Sequence, residues 1–345
     1  MKKKQIRLTI PAVFLAAILL IFFGFFYWKE HKTLIIDQNP AVYIYEDLVS
    51  DTDILKSRYA SVFSADSLGE TVDGRQILHF IIGDKEASRK ILINGGIHAR
   101  EYITCQLVMK QTVSFLEHLV SGDSYGDISY KDLLRDTAVH VICMVNPDGV
   151  SISQLGLDGV QTDAVRENLS QIAQLDGASL ADGTYLKRWK ANANGVDLNR
   201  NFDALWDSYA DPAGHPSADH YKGTAPGCEI ESAALIQLTL QEQFTRTISY
   251  HTQGDVIYWY FGQEGDLYDQ TLSFANTISA TTGYPLDADY QSLDPAGYKD
   301  WAIQSQGIPS LTIEVGLQDS PVPAEQFATI WAENQFVWEE ALKTL

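Results

Sequence analysis

The seven residues Gly95-Gly96-Ile97-His98-Ala99-Arg100-Glu101 restrict what this chain can become more than any other stretch. They follow the apolar run from Lys90 to Asn94 and open a helix-like pattern from Tyr102 to Leu119, so they mark a strand-to-helix junction. A histidine and a carboxylate three residues apart on such a turn share one side and can converge on a single cation. The two glycines remove side chains where a ligand would have to approach. A catalytic zinc site uses three protein ligands and keeps a fourth position open for water, so the motif requires a third ligand elsewhere in the chain.

The rest of the sequence offers strands that could carry it. Residues Gln76 to Ile82, Val139 to Val145, Thr247 to Tyr250 and Ser310 to Val315 read as strands, and Tyr45 to Ala60 reads as a helix. Asn146-Pro147-Asp148-Gly149 has the composition of a turn. Residues 151–187 show little periodicity and are expected as a long surface excursion. Ala324 to Leu345 is expected as one closing amphipathic helix. Strands alternating with helices predict an α/β fold, a central sheet covered by helices, whose ligands gather beyond the carboxyl ends of the strands.

His251 ends a strand in the polar turn His251-Thr252-Gln253-Gly254 and is the expected third ligand. His31, His118 and His140 read as structural or solvated, and His79, His215 and His220 have no ligand at metal spacing. Along the last strand Leu311, Ile313 and Val315 face one way, which turns Thr312 and Glu314 the other. A carboxylate in so apolar a segment needs a partner. Two readings of Glu314 stand at this point, a general base beside a metal-bound water and one half of a structural salt bridge. Asn199-Arg200 pairs an amide with a guanidinium fork that suits a peptide carboxylate.

At 345 residues one large catalytic domain is expected, and a formal net charge of -20 argues against nucleic acid as a partner. Cys105, Cys143 and Cys228 are expected as buried free thiols. The basic prefix Lys2, Lys3, Lys4 and Arg7 precedes an uncharged stretch from Leu8 to Trp28, long enough to cross a bilayer. Its bulky aromatic end favours a retained signal anchor over a cleaved signal peptide. The expected plan is a cytoplasmic tail and transmembrane helix over 1–32, a linker over 33–44 and a catalytic domain over 45–345. The protein would sit in the cell membrane as a single-pass monomer, with its catalytic domain outside.

His98-Ala99-Arg100-Glu101, Asp197-Leu198-Asn199-Arg200-Asn201-Phe202, Ser249-Tyr250-His251 and Thr312-Ile313-Glu314-Val315-Gly316 occur in the order and rough spacing of the zinc carboxypeptidase family, which the chain resembles from Tyr45 to its end. The resemblance implies a single domain with a mixed sheet and one Zn2+ per chain held by His98, Glu101 and His251. It implies Glu314 as general base, Asn199 and Arg200 as carboxylate anchors, and Arg100 as a subsite residue. Where digestive relatives carry an oxyanion-stabilising arginine after a tryptophan, this chain has Lys190, with Arg188 before Trp189; either cation could serve. The tyrosine at the mouth of digestive enzymes aligns with Ser292, and Tyr290 and Tyr298 lie nearby.

The stretches Arg188 to Asp197, Ser249 to Trp259 and Pro295 to Trp301 are more similar to the bacterial γ-D-glutamyl-diamino-acid endopeptidases of that family. That similarity implies a peptidoglycan stem peptide as substrate, cleaved at the γ-D-glutamyl-diamino acid bond. Lys299 would lie in the side-chain pocket, where a poorly solvated lysine attracts an anion such as the far carboxylate of diaminopimelate; the alternative is that Lys299 points to solvent or pairs with a neighbouring aspartate, Asp294 or Asp300. A general metallocarboxypeptidase and an inactive relative that only binds wall peptides are the alternatives.

Overall fold

The computed structural model describes residues 33–181, 183–291 and 294–345. The expected membrane anchor over 1–32 lies outside them, and among the described residues no helix is long and apolar enough to cross a membrane.

The main sheet has eight strands: β1 (Phe63–Glu70), β2 (Gln76–Gly83), β3 (Arg89–Asn94), β4 (Thr137–Ile142), β5 (Arg246–His251), β6 (Val256–Tyr258), β7 (Leu286–Asp287) and β8 (Ser310–Glu314). Their spatial order is β1-β2-β4-β3-β5-β8-β6-β7. The four central strands β4, β3, β5 and β8 run parallel, while β1, β2 and β6 make antiparallel pairs, so the sheet is mixed as expected. Central parallel strands are covered on both faces, and β3 shows it directly. Ile91 and Ile93 join a core with helices α1 (Tyr45–Arg58) and α2 (Ile103–Ser121), while Leu92 joins the opposite one. That opposite core is closed by α5 (Ile230–Glu242) and α7 (Tyr298–Gln306), through Leu235, Leu238, Tyr298 and Ile303.

Between α2 and α5 the chain makes α3 (Pro147–Leu155) and α4 (Asp163–Leu175), which corrects two sequence expectations. Asn146-Pro147-Asp148-Gly149 starts a helix: the Asn146 side chain accepts from Gly149 N–H at 2.9 Å and Pro147 occupies the first turn. Residues 151–181 and 183–187 are packed structure, not a surface excursion. Thr162 caps α4 by accepting from Val165 N–H, and Val165, Leu169 and Ile172 bury one stripe against Ile152, Leu186 and Trp189 in a third core.

Residues 33–44 are likewise no free linker. Leu34, Ile36 and Tyr43 are buried, and the buried Asp51 of α1 accepts from Ile35 N–H, Ile36 N–H and the Tyr43 hydroxyl. Helix α6 (Gly265–Thr282) packs beside the closing segment, and that segment is two helices rather than one, α8 (Phe327–Asn334) and α9 (Val337–Lys343). The break falls where Asn334 C=O accepts from Gln111 Nε2 of α2 at 2.8 Å, a carbonyl drawn out of the helical ladder by a buried side chain. Cys105 and Cys143 are buried as expected, but Cys228 is exposed, because its loop runs along the surface.

The glycines of the opening motif also have a different use from the one expected. A Cβ on Gly96, whose φ is +64°, would lie 2.3 Å from Cys105 Sγ, and one on Gly95 would lie 3.0 Å from Thr104 C=O. They let the first turn of α2 press onto the junction, where Thr104 Oγ1 accepts from Gly96 N–H at 2.9 Å.

Candidate metal centre and active site

His98, Glu101, His251 and Glu314 meet at the carboxyl ends of β3, β5 and β8, neighbours in the centre of the sheet. His251 and Glu314 are register partners across β5 and β8. His98 caps a single 3-10 turn, Ala99–Glu101, whose tight pitch brings positions three apart onto one side.

In that cluster His98 Nδ1 lies 2.9 Å from Glu101 Oε1, His251 Nδ1 lies 3.1 Å from Glu101 Oε2, and the two Nδ1 atoms are 3.1 Å apart. The second edge of the His98 ring faces another carboxylate, with Nε2 3.2 Å from Asp197 Oδ1. A carboxylate only accepts, so Asp197 fixes the ring proton on Nε2 and leaves the Nδ1 lone pair turned toward Glu101. A lone pair at 2.9 Å from a carboxylate oxygen requires a positive charge between them, either a second proton or a metal ion. Donors about 2.0–2.2 Å from a tetrahedral zinc stand roughly 3.3 Å or a little more apart. The three observed spacings approach that edge length, so these residues fit zinc. Burial alone would raise Glu101, but His98 and His251 hold its carboxyl well below the usual range, and Thr252 N–H also donates to Oε2 at 3.1 Å.

Glu314 is of a different kind. Its Oε2 is buried and has no hydrogen-bond partner among the described residues, nor is any ion pair to Glu314 seen among them, so the salt-bridge reading has no support. Burial pushes its carboxyl up to about 8, with Glu101 adding to the rise and His251, Lys190 and Arg200 opposing it. Leu311, Ile313 and Val315 point into the core, so the expected alternation along β8 is seen.

The two candidate oxyanion cations occupy different places. Lys190 is buried, its Nζ 2.8 Å from Asp197 Oδ2 and 3.1 Å from Asp219 Oδ1. Burial works against its charge, yet Asp197 and Asp219 together outweigh that and hold its pKa above the ordinary value. Its field reaches both Glu314 and His251. Arg188 is exposed and lines a separate cleft. Asp197 and Asp219 also approach His220, but Lys190 already supplies the positive charge between the two aspartates.

Two cavities meet at Glu314 and Tyr258. One, of about 120 Å³, takes in Asn199, Arg200, Lys299 and Asp300. Asn199 Oδ1 accepts from Tyr298 N–H at 3.0 Å, which leaves its amide NH2 to face outward. Arg200 lies 3.7 Å from Asp294 and keeps a buried Nε without a partner among the described residues. Lys299 lines this pocket and is paired, as the alternative reading had it: its Nζ donates to Asp300 Oδ1 at 2.6 Å. Asp300 is held in turn by accepting from Gly297 N–H at the start of α7. The second cavity, of about 300 Å³, takes in Arg100 and Arg188. Tyr258 and Tyr290 are the tyrosines of the first pocket, Tyr298 is buried in the core, and Ser292 lies outside the described residues. A cleft of about 960 Å³ at the opposite end of the sheet, beside Gly83 and Arg135, holds none of these residues.

Sequence reasoning gave no role to Asp197 or Asp219. A signal for Asp197 was present: it sits between Val196 and Leu198, and a carboxylate in an apolar step calls for a partner just as Glu314 did.

The family model described as zinc carboxypeptidase matches residues 48–337. Gamma-D-glutamyl-L-diamino acid endopeptidase 1 of Lysinibacillus sphaericus is 32% identical over 292 residues, which covers 84% of this chain and 70% of that protein. The protein YqgT of Bacillus subtilis is 30% identical over 301 residues, 86% of this chain and 76% of its own length. Among solved structures, thrombin activatable fibrinolysis inhibitor superposes with a TM-score of 0.67 at 18% identity, over 87% of this chain and 73% of that one, which shows a shared fold.

Proposed function

The chain belongs to the zinc carboxypeptidase family of metallopeptidases, and we propose that it hydrolyses the γ-D-glutamyl-diamino acid bond of cell-wall stem peptides. In this reading His98, Glu101 and His251 hold one zinc, which supplies a Lewis acid and lowers the pKa of a water. Glu314, whose buried Oε2 has no partner among the described residues, serves as general base. It takes a proton from the attacking water and delivers one to the departing nitrogen. The carbonyl carbon gains the hydroxyl, the C–N bond breaks, and a carboxylate and an amine leave. Lys190 provides the cation beside the carbonyl oxygen as its negative charge grows, since its field reaches Glu314 and His251. Asn199 and Arg200 hold a carboxylate of the departing residue.

The observation that carries the substrate assignment is the Lys299–Asp300 pair in the side-chain pocket. A buried cation beside a buried anion complements a side chain that ends in both an ammonium and a carboxylate, as diaminopimelate does. Lysine would meet Asp300 but leave Lys299 facing its own charge sign. Similarity to the Lysinibacillus sphaericus endopeptidase supports the same bond. The uncharged stretch from Leu8 to Trp28 behind its basic prefix supports a membrane-anchored enzyme with its catalytic domain outside.

Digesting defined stem peptides with the purified protein, followed by mass spectrometry, tests this. The expected products come from cleavage between glutamate and the diamino acid, faster for diaminopimelate than for lysine, with the preference narrowed in Lys299→Ala. Release of C-terminal residues alone, from ordinary α-linked peptides, would establish the general metallocarboxypeptidase instead.

A further inference from the structure

The cleft of about 300 Å³ on the far side of Glu314 and Tyr258 from the Lys299 pocket has no part in the mechanism above. Its walls are polar throughout. Thr252 and Ser320 place their hydroxyls 3.1 Å apart in it, and Arg100 and Arg188 bring two positive charges. Arg100 is braced from behind: its Nη1 donates to Arg188 C=O at 3.2 Å and lies 3.2 Å from Asp219 Oδ2. Its Nε is buried without a partner. The Arg188 side chain makes no hydrogen bond or ion pair among the described residues. The carboxylates of the lining are Asp319, which is exposed, and Glu314, the general base of the mechanism above.

We propose that this cleft binds the free α-carboxylate of the γ-linked residue on the acyl side of the scissile bond, with Arg188 as its specificity residue and the hydroxyls of Thr252 and Ser320 beside it. The assignment rests on the γ-glutamyl reading and adds the feature that tells a γ-linkage from an ordinary one. In an α-linked peptide the group beyond the acyl residue's Cα is a neutral amide. In a γ-linked glutamyl residue the chain reaches the carbonyl through its side chain, and a carboxylate remains free roughly 5 Å away, four carbon–carbon bonds on. Only the second presents an anion to a cleft adjoining Glu314. A guanidinium suits it because its planar fork can donate two parallel hydrogen bonds to one carboxylate. An exposed arginine with no internal partner gives up little to do so.

The test uses the full-length zinc-loaded protein, wild type and Arg188→Gln, on L-alanyl-γ-D-glutamyl-diaminopimelate and on the same peptide with its glutamyl α-carboxylate converted to carboxamide. Wild type should show a kcat/KM about tenfold or more higher on the carboxylate form, the scale of one charged hydrogen bond. Arg188→Gln should bring the ratio of the two peptides close to one. A cation that stabilised the reacting carbonyl oxygen would, when removed, slow both peptides alike and keep their ratio. Equal kcat/KM on the two peptides in wild type, or a ratio that survives Arg188→Gln, overturns the assignment while leaving γ-bond cleavage standing. Cleavage of neither peptide, with release of residues from an α-linked one, overturns the γ-glutamyl reading itself.

Discussion

Replacing Asp197 by asparagine keeps the shape of the side chain and removes its charge, and the structure specifies what should follow. Oδ1 accepts from His98 Nε2 at 3.2 Å and from Asn199 N–H at 3.1 Å, while Oδ2 accepts from Lys190 Nζ at 2.8 Å. If the amide oxygen of Asp197→Asn keeps the first two partners, its NH2 points at an ammonium, donor against donor. If it turns to serve Lys190, His98 loses the acceptor that fixes its proton on Nε2. Loss of such a partner to a metal-bound histidine typically weakens metal binding by 10–100-fold, about 1.4–2.8 kcal/mol. Removing one member of a buried ion pair costs about 3–5 kcal/mol of folding stability when nothing replaces it. Here Asp219 still faces Lys190 at 3.1 Å, so the lower end of that range is expected. Competition against a chromogenic chelator measures the first effect, and urea unfolding in excess chelator measures the second. Adding Lys190→Met should restore stability by removing the stranded charge, but not zinc affinity. Zinc affinity within twofold of wild type in Asp197→Asn would refute the claim that Asp197 orients His98.

Three further outcomes are expected. His251→Ala should leave the protein folded and without zinc, and full occupancy by elemental analysis would remove His251 from the ligand set. Glu314→Gln should retain zinc while turnover falls roughly a hundredfold or more, the scale of a general acid-base group; near-normal turnover would place the base elsewhere. The third concerns the buried His79–His140 pair, whose ring nitrogens face each other at 3.0 Å. Burial lowers His79 from 6.5 to about 4 and His140 to about 3. Both are neutral in the folded protein where the unfolded chain binds protons, so their stability contribution is complete above pH 6.5 and declines as pH falls toward 4. Each shift is worth about 2 kcal/mol at pH 5, and the pair about 2–4 kcal/mol given their coupling. Urea unfolding at pH 7.5 and 5.0 should show wild type losing that much more than the double variant His79→Gln/His140→Gln; equal losses would contradict it.

The candidate site was legible wherever a polar side chain is tied to a strand end. His98 and His251 could be placed because each follows an apolar run, and Glu314 because a carboxylate among Leu311, Ile313 and Val315 is costly without a purpose. What stayed hidden depends on contacts between segments distant in sequence. Nothing near Asn334 reveals that Gln111, 223 positions earlier, takes its carbonyl and divides the last helix. Residues 33–44 read as a linker because the partner of their backbone amides, Asp51, belongs to the next element. The stripe Val165, Leu169, Ile172 was present in the sequence, but its helix is only Asp163–Leu175 and is flanked by glycine-rich turns that mask the period. For Lys299 the sequence left solvent, Asp294 and Asp300 all open as surroundings, because which of them it meets depends on side-chain rotamers, not on spacing.

The placement of His98, His251 and Glu314 at the ends of three adjacent strands has a consequence for the traffic of the metal. Those strands are held by their own hydrogen-bond ladders and by apolar side chains on both faces, none of which involves the ion. The binding energy of zinc is therefore not needed to assemble the domain, in contrast to small zinc-folded modules that collapse without it. Chelation should strip the enzyme to an inactive but intact apoprotein, and resupplied zinc should revive it at the speed of ion entry, with no refolding delay. An enzyme built this way can fold empty and become active only where zinc is available.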